Sequence, residues 1–89
     1  MVAEKYFVYV LRNATGKYYI GITEDVAGRL EQHNSGCSKW TSRFKPWELT
    51  WWRGPMAVSE ARKLENRLKR QKGGDGFFNM TGLRRSSGS

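Results

Sequence analysis

The sequence is short of cysteine, with Cys37 alone, and short of acid, with eight Asp and Glu against sixteen Lys and Arg. A single cysteine closes no internal disulfide, and no Cys/His set with zinc spacing accompanies it, so a disulfide scaffold and a zinc ribbon are both excluded. A reducing compartment is expected. No apolar run approaches the ~20 residues that cross a bilayer. The opening residues Met1-Val2-Ala3-Glu4-Lys5 lack a charged stretch followed by an apolar one, which predicts a soluble, cytoplasmic protein that does not engage membranes. The shortage of acid leaves a formal net charge of +8 and a pI near 10.1. Such a field attracts polyanions and speeds encounter with them, so nucleic acid is the first partner to consider, with a merely solvated basic surface as the alternative.

What is present is one small core. Eighty-nine residues leave room for a single domain, and 38 % hydrophobic with 13 % aromatic content is enough apolar area to argue against disorder. Residues 1–83 are expected to form that domain and 84–89 a flexible tail. Tyr6 to Arg12 is a run of β-branched and aromatic residues that predicts a buried strand. Asn13-Ala14-Thr15-Gly16 supplies turn chemistry, and Lys17 to Ile22 predicts the returning strand of a hairpin. Thr23 is the expected cap of a helix over 24–34, with Val26, Leu30 and His33 at helical spacing. Trp47 to Arg53 predicts a third strand with Trp47, Leu49 and Trp51 on one face. A second helix is predicted from Ser59 to Lys72, with Ala57, Ala61, Leu64 and Leu68 as its apolar stripe, and Phe77 and Phe78 are placed to dock back on the core. The order β-β-α-β-α describes an α+β fold, a small three-stranded, mostly antiparallel sheet flanked by helices.

Several residues in this frame suit phosphodiester chemistry. Tyr9 and Tyr19 share a face of the hairpin only if paired residue numbers sum to an even value, which requires an odd loop such as Asn13 to Lys17, or a bulge. Gly21 weakens a strand unless something must approach closely. Arg29 and His33 stand one helical turn apart, toward the sheet; the guanidinium suits phosphate oxygens and the imidazole suits proton transfer near neutral pH, while helix geometry alone favours a solvated arginine and a half-buried histidine. A tyrosine can act as base only where a cation or basic groups depress its ordinary value near 10. Glu65 flanks the buried stripe, about 40° from Ala61 on a helical wheel. From the wheel alone an i,i+4 pair with Lys69 is favoured over a role as ligand for a hard cation. Lys39, Trp40, Arg43, Phe44, Lys45 and Trp47 interleave basic and aromatic groups, as either a nucleic-acid surface or core. Arg62, Lys63, Arg67 and Arg70 lie off the buried stripe, on a face that solvent alone can explain.

Phe7-Val8-Tyr9, then Tyr19-Ile20-Gly21, Arg29, His33 and a helical Glu65 resemble the GIY-YIG nuclease family over roughly Tyr6 to Lys72. The Tyr19-Ile20-Gly21-Ile22-Thr23 and Arg29-Leu30-Glu31-Gln32-His33-Asn34 runs are similar to small stand-alone bacterial members related to the N-terminal nuclease domain of excinuclease C. Phe7 and Val8 stand where the first motif has glycine and isoleucine, and Ile22 where some branches carry a basic or polar residue. The resemblance implies metal-dependent hydrolysis of DNA, structure-selective and connected with repair. It implies Tyr9 as base or water-positioning group, Tyr19 at the scissile phosphate or water, Arg29 on the phosphorane charge, and His33 a turn later. Glu65 would then hold one Mg²⁺ or Mn²⁺. Gly21 would admit the substrate, Lys39, Arg43 and Lys45 would contact it, and Asn79 is the counterpart of an asparagine found beyond the glutamate in several members. A monomer or weak dimer is expected, with a protein partner as one source of specificity. A non-catalytic nucleic-acid-binding module and a basic protein-interaction adaptor are the alternatives from other classes.

Overall fold

The computed structural model describes residues 3–35, 46–71, 77, 81 and 82. Three strands, β1 (Glu4–Asn13), β2 (Tyr18–Thr23) and β3 (Trp47–Ala57), and two helices, α1 (Val26–Ser35) and α2 (Val58–Gln71), follow in the expected order β-β-α-β-α. The sheet is antiparallel, with order β2-β1-β3. The first strand is therefore central, which is why Val8, Tyr9, Val10 and Leu11 are all fully buried although their side chains alternate between the two faces.

Each face is covered by one helix. Val8, Val10, Tyr18 and Ile20 pack against Ala61 and Leu68 of α2 and against Phe77, whose ring centroid lies 5.0 Å from that of Tyr18. Tyr9, Leu11 and Trp47 pack against Val26 and Leu30 of α1. Asn34 fastens α1 to β3 by donating from Nδ2 to the Trp47 carbonyl while its Oδ1 accepts from the Trp47 amide. Among the described residues, no helix is long and apolar enough to cross a membrane.

The hairpin turn decides which residues face α1. The Asn13 amide donates to the Lys17 carbonyl and the Gly16 amide to the Asn13 carbonyl, with Gly16 at φ 90°, the left-handed position of a three-residue loop. Asn13 Oδ1 locks the loop by accepting from the Thr15 amide, the Thr15 hydroxyl and the Lys17 amide. The pairs run from Phe7 with Thr23 to Arg12 with Tyr18, so every pair of numbers sums to 30. The even sum puts Tyr9, Leu11, Tyr19 and Gly21 on one face.

Two boundaries and one strand face differ from expectation. Thr23 does not cap α1, because it is still paired with Phe7 in the sheet. Asp25 is the cap: its Oδ1 accepts from the Gly28 amide and its carbonyl from the Arg29 amide, so the helix starts at Val26. The third strand does not stop at Arg53 but continues through Gly54 and Pro55 to Ala57, which removes Ala57 from the helical stripe. As an edge strand it tolerates the proline, and Gly54, at φ +149°, passes so close to Phe7 that a Cβ there would lie 2.7 Å from Phe7 Cδ1. Trp51, expected beside Trp47 and Leu49, lies on the opposite face. A register shift between Val10 and Leu11 pairs them with Trp51 and Leu49, leaving Thr50 as the extra residue. Beyond such a bulge every side chain changes face.

Asn13→Ala should lower the urea midpoint by the equivalent of about 1–3 kcal/mol with an unchanged slope, because three donors lose their shared acceptor. An unchanged midpoint would show that the loop holds its register without this side chain.

Candidate active site

The glycine in β2 is explained by the ring that lies over it. A Cβ on Gly21 would meet the Tyr9 hydroxyl oxygen at 2.7 Å and Tyr9 Cζ at 2.8 Å. Tyr9 thus reaches across its cross-strand neighbour toward the sheet edge, a path that any larger residue closes.

At that edge Tyr9 meets α1. Its hydroxyl lies 3.0 Å from His33 Nε2, and the His33 ring is stacked at a tilt 4.6 Å from the ring of Tyr19. Burial, aided by the Tyr19 phenol and opposed in part by Arg29, pushes the Tyr9 phenol up to about 12. Burial also lowers His33, and the Arg29 charge lowers it further, below its ordinary value of 6.5. At neutral pH the pair is therefore a neutral phenol hydrogen-bonded to a neutral imidazole. Depression of Tyr9 by basic groups, which a free tyrosinate requires, is not supplied by the protein's own residues: desolvation outweighs the Arg29 charge.

Arg29 completes the α1 side. Its Nη1 donates to Gln32 Oε1 at 2.9 Å, while its Nε is buried and makes no hydrogen bond among the described residues. An orphaned guanidinium N–H costs free energy until an acceptor arrives.

Glu65 approaches from the other layer. Tyr9, Tyr19, Gly21 and Arg29 line one cleft of about 350 Å³ together with Arg62 and Glu65 of α2. Gly21 and Ile22, which face opposite sides of the sheet, both border it, so the cleft wraps the free edge of β2. The i,i+4 pair expected of Glu65 is present. Lys69 Nζ sits 3.1 Å from its Oε2, the i,i+4 pair, and the same carboxylate, 17 % exposed, lines the cleft.

The structure brings together Tyr9, Tyr19, Gly21, Arg29, His33 and Glu65. Lys39, Arg43, Lys45 and Asn79 lie outside the described residues, as do Trp40, Phe44 and Phe78. Trp47 is core, 3 % exposed, and is not a nucleic-acid contact. Arg62 borders the cleft, although its helical face is one that solvent alone could explain; its place one turn before Glu65 is the signal in the sequence. A GIY-YIG catalytic domain matches residues 5–77.

The chain belongs to the GIY-YIG family. It is 40 % identical over 70 residues to a UPF0213 protein of Aeromonas hydrophila, covering 78 % of this chain and 52 % of that protein. It is 42 % identical over 69 residues to a UPF0213 protein of Streptococcus pneumoniae, covering 76 % and 70 %. The chain thus spans about half the length of the first relative and 70 % of the second. No solved structure matches it significantly. GIY-YIG is a nuclease family, and the catalytic-domain match takes in every residue of the cleft.

His33 is the chain's one histidine, so its imidazole signals stand alone in an NMR titration. Its midpoint should fall below 6.5. Because the unfolded chain then binds the proton more readily, stability should decline as pH drops through the window below 6.5. A midpoint at or above 6.5 would contradict a buried, neutral imidazole. Gly21→Ala should cost about 1–3 kcal/mol in chemical denaturation, since the Tyr9 ring must leave its place; a neutral result would show that the ring moves freely.

Proposed function

We propose that this chain is a divalent-metal-dependent endonuclease that hydrolyses phosphodiester bonds of DNA, acting on branched or repair intermediates. The observation that supports it is the cleft itself, in which Tyr9, hydrogen-bonded to the buried His33, shares one space with Arg29 and a single carboxylate.

The protonation states suggest how the residues divide the work. With His33 as the Nδ1–H tautomer, Tyr9 directs its proton at Nε2 and keeps oxygen lone pairs with which to accept from an attacking water. As the water oxygen bonds to phosphorus, its proton passes to the Tyr9 oxygen and the Tyr9 proton to Nε2. Tyr9 ends as it began and His33 carries the charge. The bond to the leaving oxygen breaks as the new one forms, and that oxygen takes a proton from solvent water. Arg29 offers its guanidinium to a non-bridging oxygen on which negative charge grows. Tyr19, 6.2 Å from Tyr9 between ring centroids, borders the same space.

Glu65 is the residue that would hold the metal ion. Among the described residues no three His, Cys, Asp or Glu gather, so an all-protein cage is not built there, whereas a cation that keeps most of its waters needs one or two carboxylates. When bound, the ion would offset phosphate charge and assist departure of the leaving oxygen. Lys69 would yield Glu65 Oε2 to it.

Supercoiled, single-stranded and branched DNA incubated with Mg²⁺ or Mn²⁺ tests this directly. Wild type should nick, Glu65→Ala should not, and both should bind. Tyr9→Phe should slow cleavage by about 10²–10⁴-fold, and the wild-type rate should fall on the acid side as His33 takes up its proton, with a midpoint below 6.5. Tight binding without cleavage by any metal would instead identify a nucleic-acid-binding module. Equal cleavage by wild type and Glu65→Ala would remove the carboxylate from the mechanism.

A further inference from the structure

Trp52 stands out among the described residues as a large apolar side chain left in water, 52 % exposed. Its position follows from the bulge at Thr50, which turns Trp51 to the α2 side and Trp52 to the tyrosine side. Trp52 is the cross-strand partner of Tyr9, and side chains directly opposite in an antiparallel pair are neighbours on one face.

The indole is also braced. Phe7 meets it edge-on, with centroids 5.6 Å apart and planes at 69°. Phe7 is itself pinned by the passing backbone of Gly54, where even a Cβ would collide with it. A ring held this way has little orientational entropy left to lose when a ligand stacks on it.

Its surroundings indicate what that ligand is. Tyr9 is flanked on the β2 side by the cleft with Arg29 and Arg62, and on the β3 side by Trp52, across a sheet in which two strand spacings measure about 10 Å. A cationic cleft two strand spacings from a fixed aromatic surface suits the phosphate of one nucleotide and the flat base of a nearby one. Within a duplex both faces of a base are covered by its neighbours, and a base at a blunt end is held in its pair, so an unpaired base is the one free to lie on the indole.

We propose that Trp52, braced by Phe7, is a stacking platform for an unpaired DNA base beside the phosphate held in the cleft. It rests on the nuclease function proposed above and names its substrate class: DNA with an overhang, flap or single-stranded branch, in preference to continuous duplex.

Binding is measured without cleavage, by fluorescence anisotropy in EDTA, on labelled overhang DNA and blunt duplex of equal length. Wild type binds the overhang more tightly. Trp52→Leu, which keeps apolar bulk without a π-face, weakens overhang binding about tenfold and blunt-duplex binding by less than about twofold. Trp52→Phe restores most of the difference, and both variants melt like wild type. Unchanged overhang binding in Trp52→Leu, or an equal loss on both substrates, overturns the platform. If Trp52→Leu is indifferent while Glu65→Ala still abolishes wild-type cleavage, the nuclease function stands and the platform alone falls. Absence of wild-type binding to either DNA defeats both.

Discussion

The Tyr9 ring lying on the bare backbone of Gly21 is the contact that the rest of the site depends on. It carries the phenol past β2 to His33, and it is available only because the hairpin pairs these two residues directly. That pairing depends in turn on the odd loop held by Asn13 and Gly16. The chain of cause runs from a turn's hydrogen bonds to a register, from the register to a shared face, and from that face to a proton's position.

The elements were legible because their cues are local. Aromatic and β-branched runs mark β1 and β3, and the Ala61, Leu64 and Leu68 spacing marks α2. What escaped depends on contacts between distant segments. The Thr50 bulge leaves no mark in residues 47–53, where alternation alone puts Trp51 beside Leu49. The continuation of β3 through Gly54 and Pro55 likewise reflects a close approach to Phe7 that a linear pattern does not contain. Asp25 displaced Thr23 as cap because the sheet claimed the threonine first.

The site shows a similar division. Tyr9, Tyr19, Arg29, His33 and Glu65 were all nameable from residue type and order, and Gly21 was conspicuous as a glycine within a strand. Their protonation was not, because it follows from burial. A tyrosine acting as base calls for a phenol drawn downward, whereas the desolvated ring is pushed up and keeps its proton, hydrogen-bonded to an imidazole that burial and the Arg29 charge keep neutral. Net charge describes what the surface attracts; the local dielectric decides which group carries a proton.

The central strand packs on both faces, and one of them also reaches the cleft: Val8 and Val10 belong to the α2 core, while Tyr9 between them lines the cleft and Leu11 beside it packs with Trp47. This limits the changes through which such a chain can evolve. Substitutions at the rim act one at a time, and a tryptophan on the outer strand can be exchanged without disturbing the valines. A single inserted or deleted codon within β1 has no such freedom, since it would send a phenol into the hydrophobic layer and a valine into the cleft in one step. Diversification by change of length is therefore confined to the connections between strands and helices, and the central strand diversifies by replacement alone.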